Sequence, residues 1–332
     1  MIVSEADFER CVAEVLSAPA VPGGGVFGPD SVVWRVHREA ALFLGAGRAL
    51  LLQLAHPWVA AGIADQSRVF ADPLGRFHRT FSIVYTMVFG TRAQAVAVAQ
   101  RLYRRHAAVD GVMPETAGPF AAGSRYLAND VDALRWVHAT LVETAMMSYD
   151  LLCPPLSAAE REQYWRESRR FAGLFGIPQD TLPPDWASFK AYTAQMMSSE
   201  TLTVSAAARD IAHRIFSGEA TRIGPPRWFT ALTAERLPER LRLAFGLPYE
   251  ERERQSAAHA RIWLPRVYAL LPDRLRTVGP YQEALARIRG EACPPFTRLL
   301  NRAWIGQPRM PVVGTDSSAP RRSVGGRQQR NL

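Results

Sequence analysis

Residues 72–111 run DPLGRFHRTFSIVYTMVFGTRAQAVAVAQRLYRRHAAVDG, and their periodicity decides the fold class. Pro73 suits the first position of a helix, where a missing N–H costs nothing, and Asp72 before it is a capping residue. The apolar run Phe81, Ile83, Val84, Tyr85 and Met87 then buries the helix quickly, and Gly90 ends it near 89. A second helix is predicted over 92–109. Val98, Ala99, Leu102 and Val109 form its apolar face at helical spacing, and Gly111 supplies the stop.

The same period extends in both directions, and strand-like alternation hardly occurs. Upstream, 4–17 is an amphipathic helix, Pro22-Gly23-Gly24-Gly25 breaks the chain, and 31–54 is a long helix. It stops at His56-Pro57, because the residue before proline avoids the helical region; a short helix then reaches Gln66. Downstream, 112–128 is a loop and Asn129-Asp130 caps a helix to Tyr149. After Cys153-Pro154-Pro155, Ser157 and Glu160 make a capping box for 158–173. Further helices follow Leu182-Pro183-Pro184-Asp185 as far as 216. Beyond Gly224-Pro225-Pro226 they cover 228–245, 250–271, 279–289 and 295–304. The expectation is an all-α chain: an N-terminal helix and Gly/Pro linker (1–30), one multi-helix domain (31–310) and a disordered basic tail (311–332).

Of 332 residues 48% are hydrophobic, enough for a sizeable core, and the formal charge is +9. Arginines are interleaved with acids except in the tail, and no nucleic-acid recognition motif accompanies them, so nucleic acid is excluded as a partner. Cys11, Cys153 and Cys293 show no CxxC pairing, which excludes zinc ribbons and a disulfide framework and fits a reducing compartment. The N-terminus lacks a basic segment followed by an apolar run. The most apolar window, 40–64, is interrupted by Arg48, Gln53, His56 and Pro57, whereas a spanning helix needs about 20 apolar residues. A cytoplasmic location is expected.

Four histidines lie in apolar surroundings. His106 sits within the apolar face of its helix, four residues after Leu102 and three before Val109. A buried imidazole there is either hydrogen-bonded in the core or bound to a metal, since an unsatisfied one costs about 1–3 kcal/mol. His138, between Leu134 and Leu141, offers the same two alternatives; His37 and His56 also lie in apolar stretches. His78, His213 and His259 have polar neighbours. Arg76 and Thr80, four apart on one helical face, could stabilise negative charge developing on dioxygen, or Arg76 could pair with Asp65 or Asp72. Other templates are missing. There is no Glu-x-x-His pair for a di-iron bundle, no His-Glu-x-x-His, no G-x-S-x-G elbow and no P-loop lysine. A haem asks only for one suitable histidine and an apolar pocket.

Four blocks carry a family resemblance. They are LLLQLAHPWVAAGIADQSRVFADPLGRFHRTFSIVYTMVFG (50–90), HAAVDG (106–111), RYLANDVDALRWVHATL (125–141) and PLSAAEREQYWRESRRFAGLFGIP (155–178). In order and spacing they resemble the catalytic domain of the MpaB/rubber-oxygenase (latex-clearing protein) family, with weaker similarity to about residue 250. The resemblance implies a globin-like helical fold around haem b and oxygen-dependent chemistry. It makes His106 the proximal iron ligand, and it puts Arg76 and Thr80 on the distal side. Arg79 stands where the rubber enzymes carry a lysine able to close the sixth coordination position. Two departures matter. A guanidinium does not ligate iron, and the glutamate base of the rubber enzymes is replaced here by Val59, Ala60 and Ala61, with Asp65 the nearest acid.

The expected protein is thus a haem b-dependent oxygenase acting with dioxygen on an apolar small or medium metabolite. Arg104 and Arg105 would pair with haem propionates, while His56 and His138 would shape the pocket. The alternatives are a haem-binding or haem-sensing protein without turnover, and a haem-free helical ligand-binding protein. The basic tail and scattered arginines also leave room for peripheral membrane contact.

Overall fold

The structure, a computed structural model, describes residues 1–19, 21–65, 73–219 and 224–312. Its first six helices are α1 (Glu5–Ser17), α2 (Val32–His37), α3 (Ala46–Leu54), α4 (Pro57–Asp65), α5 (Pro73–Phe89) and α6 (Arg92–Ala107). A small antiparallel hairpin follows, β1 (Asp110–Val112) with β2 (Arg125–Leu127). The remainder is helical: α7 (Val131–Leu152), α8 (Ala158–Gly173), α9 (Trp186–Ser198), α10 (Ala206–Ser217), α11 (Arg227–Glu235), α12 (Glu239–Ala244), α13 (Glu251–Leu270), α14 (Asp273–Arg276), α15 (Gly279–Ile288) and α16 (Pro295–Ile305). The protein is all-α, as the periodicity predicts. The boundary at Gln66, the cap at Asp72 and the tail from 313 lie outside the described residues. Among the described residues no helix is long and apolar enough to cross a membrane.

Several boundaries differ from expectation, and the helix expected over 228–245 is broken at Pro238 into α11 and α12. The stretch 31–54 is not one helix: α2 ends at His37, a 3₁₀ turn spans Ala40–Gly45, and α3 begins at Ala46. The cause is tertiary. Glu39 bridges to Thr277, and Gly45 lies so close to α7 that a Cβ there would collide with Thr144 and Ser148. The helix expected over 92–109 stops at Ala107, because the chain turns to pair Asp110–Val112 with Arg125–Leu127. The supposed loop 112–128 therefore contributes a strand.

α7 is the central element, its long buried surface covered by α2, α3, α8 and α13. Trp34 and Trp136 fill the core without stranding their N–H groups. Trp34 donates to the Val88 carbonyl and Trp136 to the Leu52 carbonyl, both at 2.9 Å, and each carbonyl belongs to a helix C-terminus that lacks its own partner. α5 and α6 form an antiparallel pair about Gly90 and Thr91, and Thr91 makes a capping box with Gln94. α15 and α16 pack against α5 from the far end of the sequence.

Candidate functional site

The α5–α6 hairpin brings the expected site residues to one end of the molecule. Arg76 and His106 stand nearly the same number of residues from the Gly90–Thr91 turn, on opposite arms, so a common rise per residue puts them at about the same level. Around α5 the neighbours divide the helix into faces. Phe77 and Phe81 stack toward Phe43 and Trp304, with Phe43–Phe77 centroids 5.4 Å apart. His78 donates to the Ala303 carbonyl at 3.0 Å. The remaining face carries Arg76, Thr80 and Ile83, with Arg79 on its flank.

Arg76 is half-buried, and Arg79 and Thr80 are exposed. Arg76 has no ion-pair partner among the described residues. Burial, and then the charge of Arg79, lower its pKa. Asp65 does not neutralise it: that carboxylate accepts a hydrogen bond from the Tyr126 hydroxyl. Asp72 lies outside the described residues.

His106 occupies the last turn of α6 and is half-buried. No hydrogen-bond partner reaches either ring nitrogen among the described residues. Burial, reinforced by Arg105, pushes its pKa down to about 4. The imidazole is therefore neutral near pH 7 and keeps a lone pair available, the state that metal ligation requires. Arg104 and Arg105, on the same turn, are exposed and unpaired among the described residues.

The other two histidines are elsewhere in the packing. His138 is buried between α7 and α8, where its Nε2 meets the Ser168 carbonyl at 2.9 Å and its ring contacts Trp165 and Phe171. All of these contacts are on α8. His56 is buried at the α3–α4 junction beside Phe120 (5.3 Å between centroids) and Trp58, and its Nδ1 has no partner among the described residues. Burial lowers the pKa of each to about 4.

A link that the sequence did not reveal closes this end. Tyr126 on β2 pairs across the hairpin with Gly111 and reaches over it to Asp65 at the end of α4. A Cβ at position 111 would collide with the Tyr126 hydroxyl, which is why H-x-x-V-x-G ends in glycine. Burial and the Asp65 contact raise the pKa of Tyr126, so it stays a proton donor. The chain leaving His106 is thereby tied to α4. The glycine was visible in the motif; its partner, across the hairpin, was not.

These residues fit a group that brings most of its own iron ligands. Among the described residues no cluster of three or more His, Cys, Asp or Glu could hold a metal ion by itself. His106 offers a neutral ring nitrogen, a donor that would suit haem iron.

Comparison with known proteins gives the family. Residues 34–276 match the model of the ER-bound oxygenase mpaB/B′/rubber oxygenase catalytic domain. The uncharacterized proteins Mb2261 of Mycobacterium bovis and Rv2237 of Mycobacterium tuberculosis are each 23% identical over 147 residues, 43% of this chain and 55% of theirs. The chain thus spans about half the length of the curated relatives it matches. No solved structure matches. With most of its length covered by that model, the chain belongs to the mpaB/rubber oxygenase catalytic-domain family.

Proposed function

We propose that this protein is a haem b-dependent oxygenase acting on an apolar small or medium metabolite. Its family, an oxygenase catalytic domain, supports the reaction class. At the residue level one observation carries the proposal: His106, half-buried and neutral, with no hydrogen-bond partner among the described residues, at the same end of a helical hairpin as the unpaired Arg76. When bound, haem would supply the redox-active iron at which dioxygen is activated.

The chain's own residues divide the remaining work. His106 would hold the iron through one ring nitrogen. Arg76 directs N–H groups at negative charge as it develops, and its half-buried position strengthens that interaction. Thr80 adds a hydroxyl on the same face. Arg79 stands where the rubber enzymes carry a lysine able to ligate, and a guanidinium there would not ligate iron. Arg104 and Arg105 would pair with the propionates, and His56 and His138 contribute neutral rings to the surrounding packing. Tyr126 and Asp65 hold the segment after His106 in place.

The test is the absorption spectrum of protein purified from haem-supplied cells, wild type beside His106→Ala, ferric and dithionite-reduced. The expected result is a Soret band that collapses in the variant. Full haem occupancy in His106→Ala would overturn the ligand assignment. A colourless wild type would leave a haem-free helical binding protein.

A further inference from the structure

A second site, independent of the haem proposal, lies where α14, α15 and α16 meet. They enclose a cleft of about 500 Å³ whose lining includes Arg38, Arg274, Arg276 and Arg289. The carboxylates lining it are Glu39 and Asp273, and Arg289 is paired with Glu291 at 2.9 Å. Glu39 is buried and already engaged, accepting from the Tyr268 hydroxyl at 2.7 Å and from Arg38 at 3.0 Å. Asp273 points into solvent, its side chain 90% exposed and 3.8 Å from Arg276. The Arg274 guanidinium has no ion-pair partner among the described residues. α15 and α16 begin beside the cleft, and neither N-terminus is capped by a side chain, so their first N–H groups add to the positive field.

Phe296 lines this cleft, and further exposed apolar side chains lie close in sequence to its lining residues. Leu270 is 86% exposed at the end of α13, Leu275 48% on α14, and Phe296 and Leu299 are 40% and 60% exposed on α16. A free anion in water uses the arginines and leaves these side chains uncovered. An anionic headgroup at the surface of a bilayer satisfies both at once, with its phosphate on the arginine forks and its acyl region against Phe296 and the neighbouring leucines. We propose that this cleft docks the protein onto a membrane surface by taking an anionic lipid headgroup.

Full-length protein is sedimented with vesicles of phosphatidylcholine alone, and of phosphatidylcholine doped with phosphatidylserine. Two single variants, Arg274→Glu and Leu270→Glu, are run alongside; both side chains are exposed, so melting temperature and circular dichroism stay at wild-type values. The wild type is expected to bind the phosphatidylserine vesicles, less so as salt rises, with each variant losing on the order of tenfold or more in partitioning. Equal binding to both vesicle types overturns the proposal. So does wild-type binding by both variants, which would assign the contact to the basic residues beyond 312. Binding of inorganic phosphate without binding to vesicles, or dimerisation that Leu270→Glu abolishes while vesicles are ignored, would give the cleft a different occupant.

Discussion

A histidine placed in an apolar interior is a bargain with pH. His37, His56 and His138 are all buried, and burial lowers each pKa from the usual 6.5 to about 4. Because the folded values lie below the unfolded one, the unfolded chain binds more protons between them. Stability is therefore complete above about pH 6.5 and drains as pH falls toward 4. For His56 the loss amounts to about 3 kcal/mol at most, from a shift of 6.5 to about 4. His56→Phe keeps the ring beside Phe120 and Trp58 and removes the titrating nitrogens, so its melting temperature should fall less steeply across that window. An unchanged slope would show that His56 does not contribute. Tyr126 and Gly111 meet across the hairpin but should differ in what their loss costs. Tyr126→Phe removes one hydrogen bond to a carboxylate, a loss of about 1.5–3 kcal/mol in urea denaturation. Gly111→Ala should cost more, since its Cβ collides with the Tyr126 ring as well as the hydroxyl and strains the hairpin itself.

Between elements, the contact that most constrains the core is ionic. Arg48 on α3 pairs with Glu143 on α7 and also donates to the Thr144 hydroxyl at 3.0 Å and the Arg236 carbonyl at 2.7 Å. Arg48 is almost wholly buried, and Lys190, at 3.8 Å, is the other cation near Glu143. Arg48→Ala leaves Glu143 largely uncompensated and should destabilise by about 3–5 kcal/mol in denaturant titration; Arg48→Met, which keeps the packing, indicates how much of that is lost volume. The helix ends were legible in sequence because caps are local. Ser157 and Glu160 announce α8, Gly90 closes α5, and the paired prolines mark the breaks. The misreadings involve contacts between distant residues. Nothing within 31–54 signals that Glu39 will meet Thr277, and a three-residue strand such as Asp110–Val112 is too short to show alternation. The candidate site follows the same rule. His106 and Arg76 could be chosen from the face of a single helix, whereas the hold of Tyr126 on Asp65 spans 61 positions.

At the scale of the whole chain, the family match ends at 276, yet α15 and α16 lie beyond it and cover α5. Trp304 closes over Phe81 and Tyr85, His78 bonds Ala303, Gln307 bonds Ser82, and Arg287 takes the Phe89 carbonyl at the end of α5. A chain ending at 276 should expose that aromatic face, aggregate more readily, and be cut within α5 by a protease that leaves the full-length protein intact. Resistance equal to the full chain's would mean that the match boundary is also a folding boundary. The cover also has a place in time. The ribosome delivers α5 on the order of 200 residues before α16, a wait of roughly ten seconds or more at ~5–20 residues per second. Throughout that interval Phe77, Phe81 and Tyr85 belong to a nascent chain without their lid. α16 thus governs how much newly synthesised protein escapes aggregation, before it has any bearing on how stable the finished molecule is.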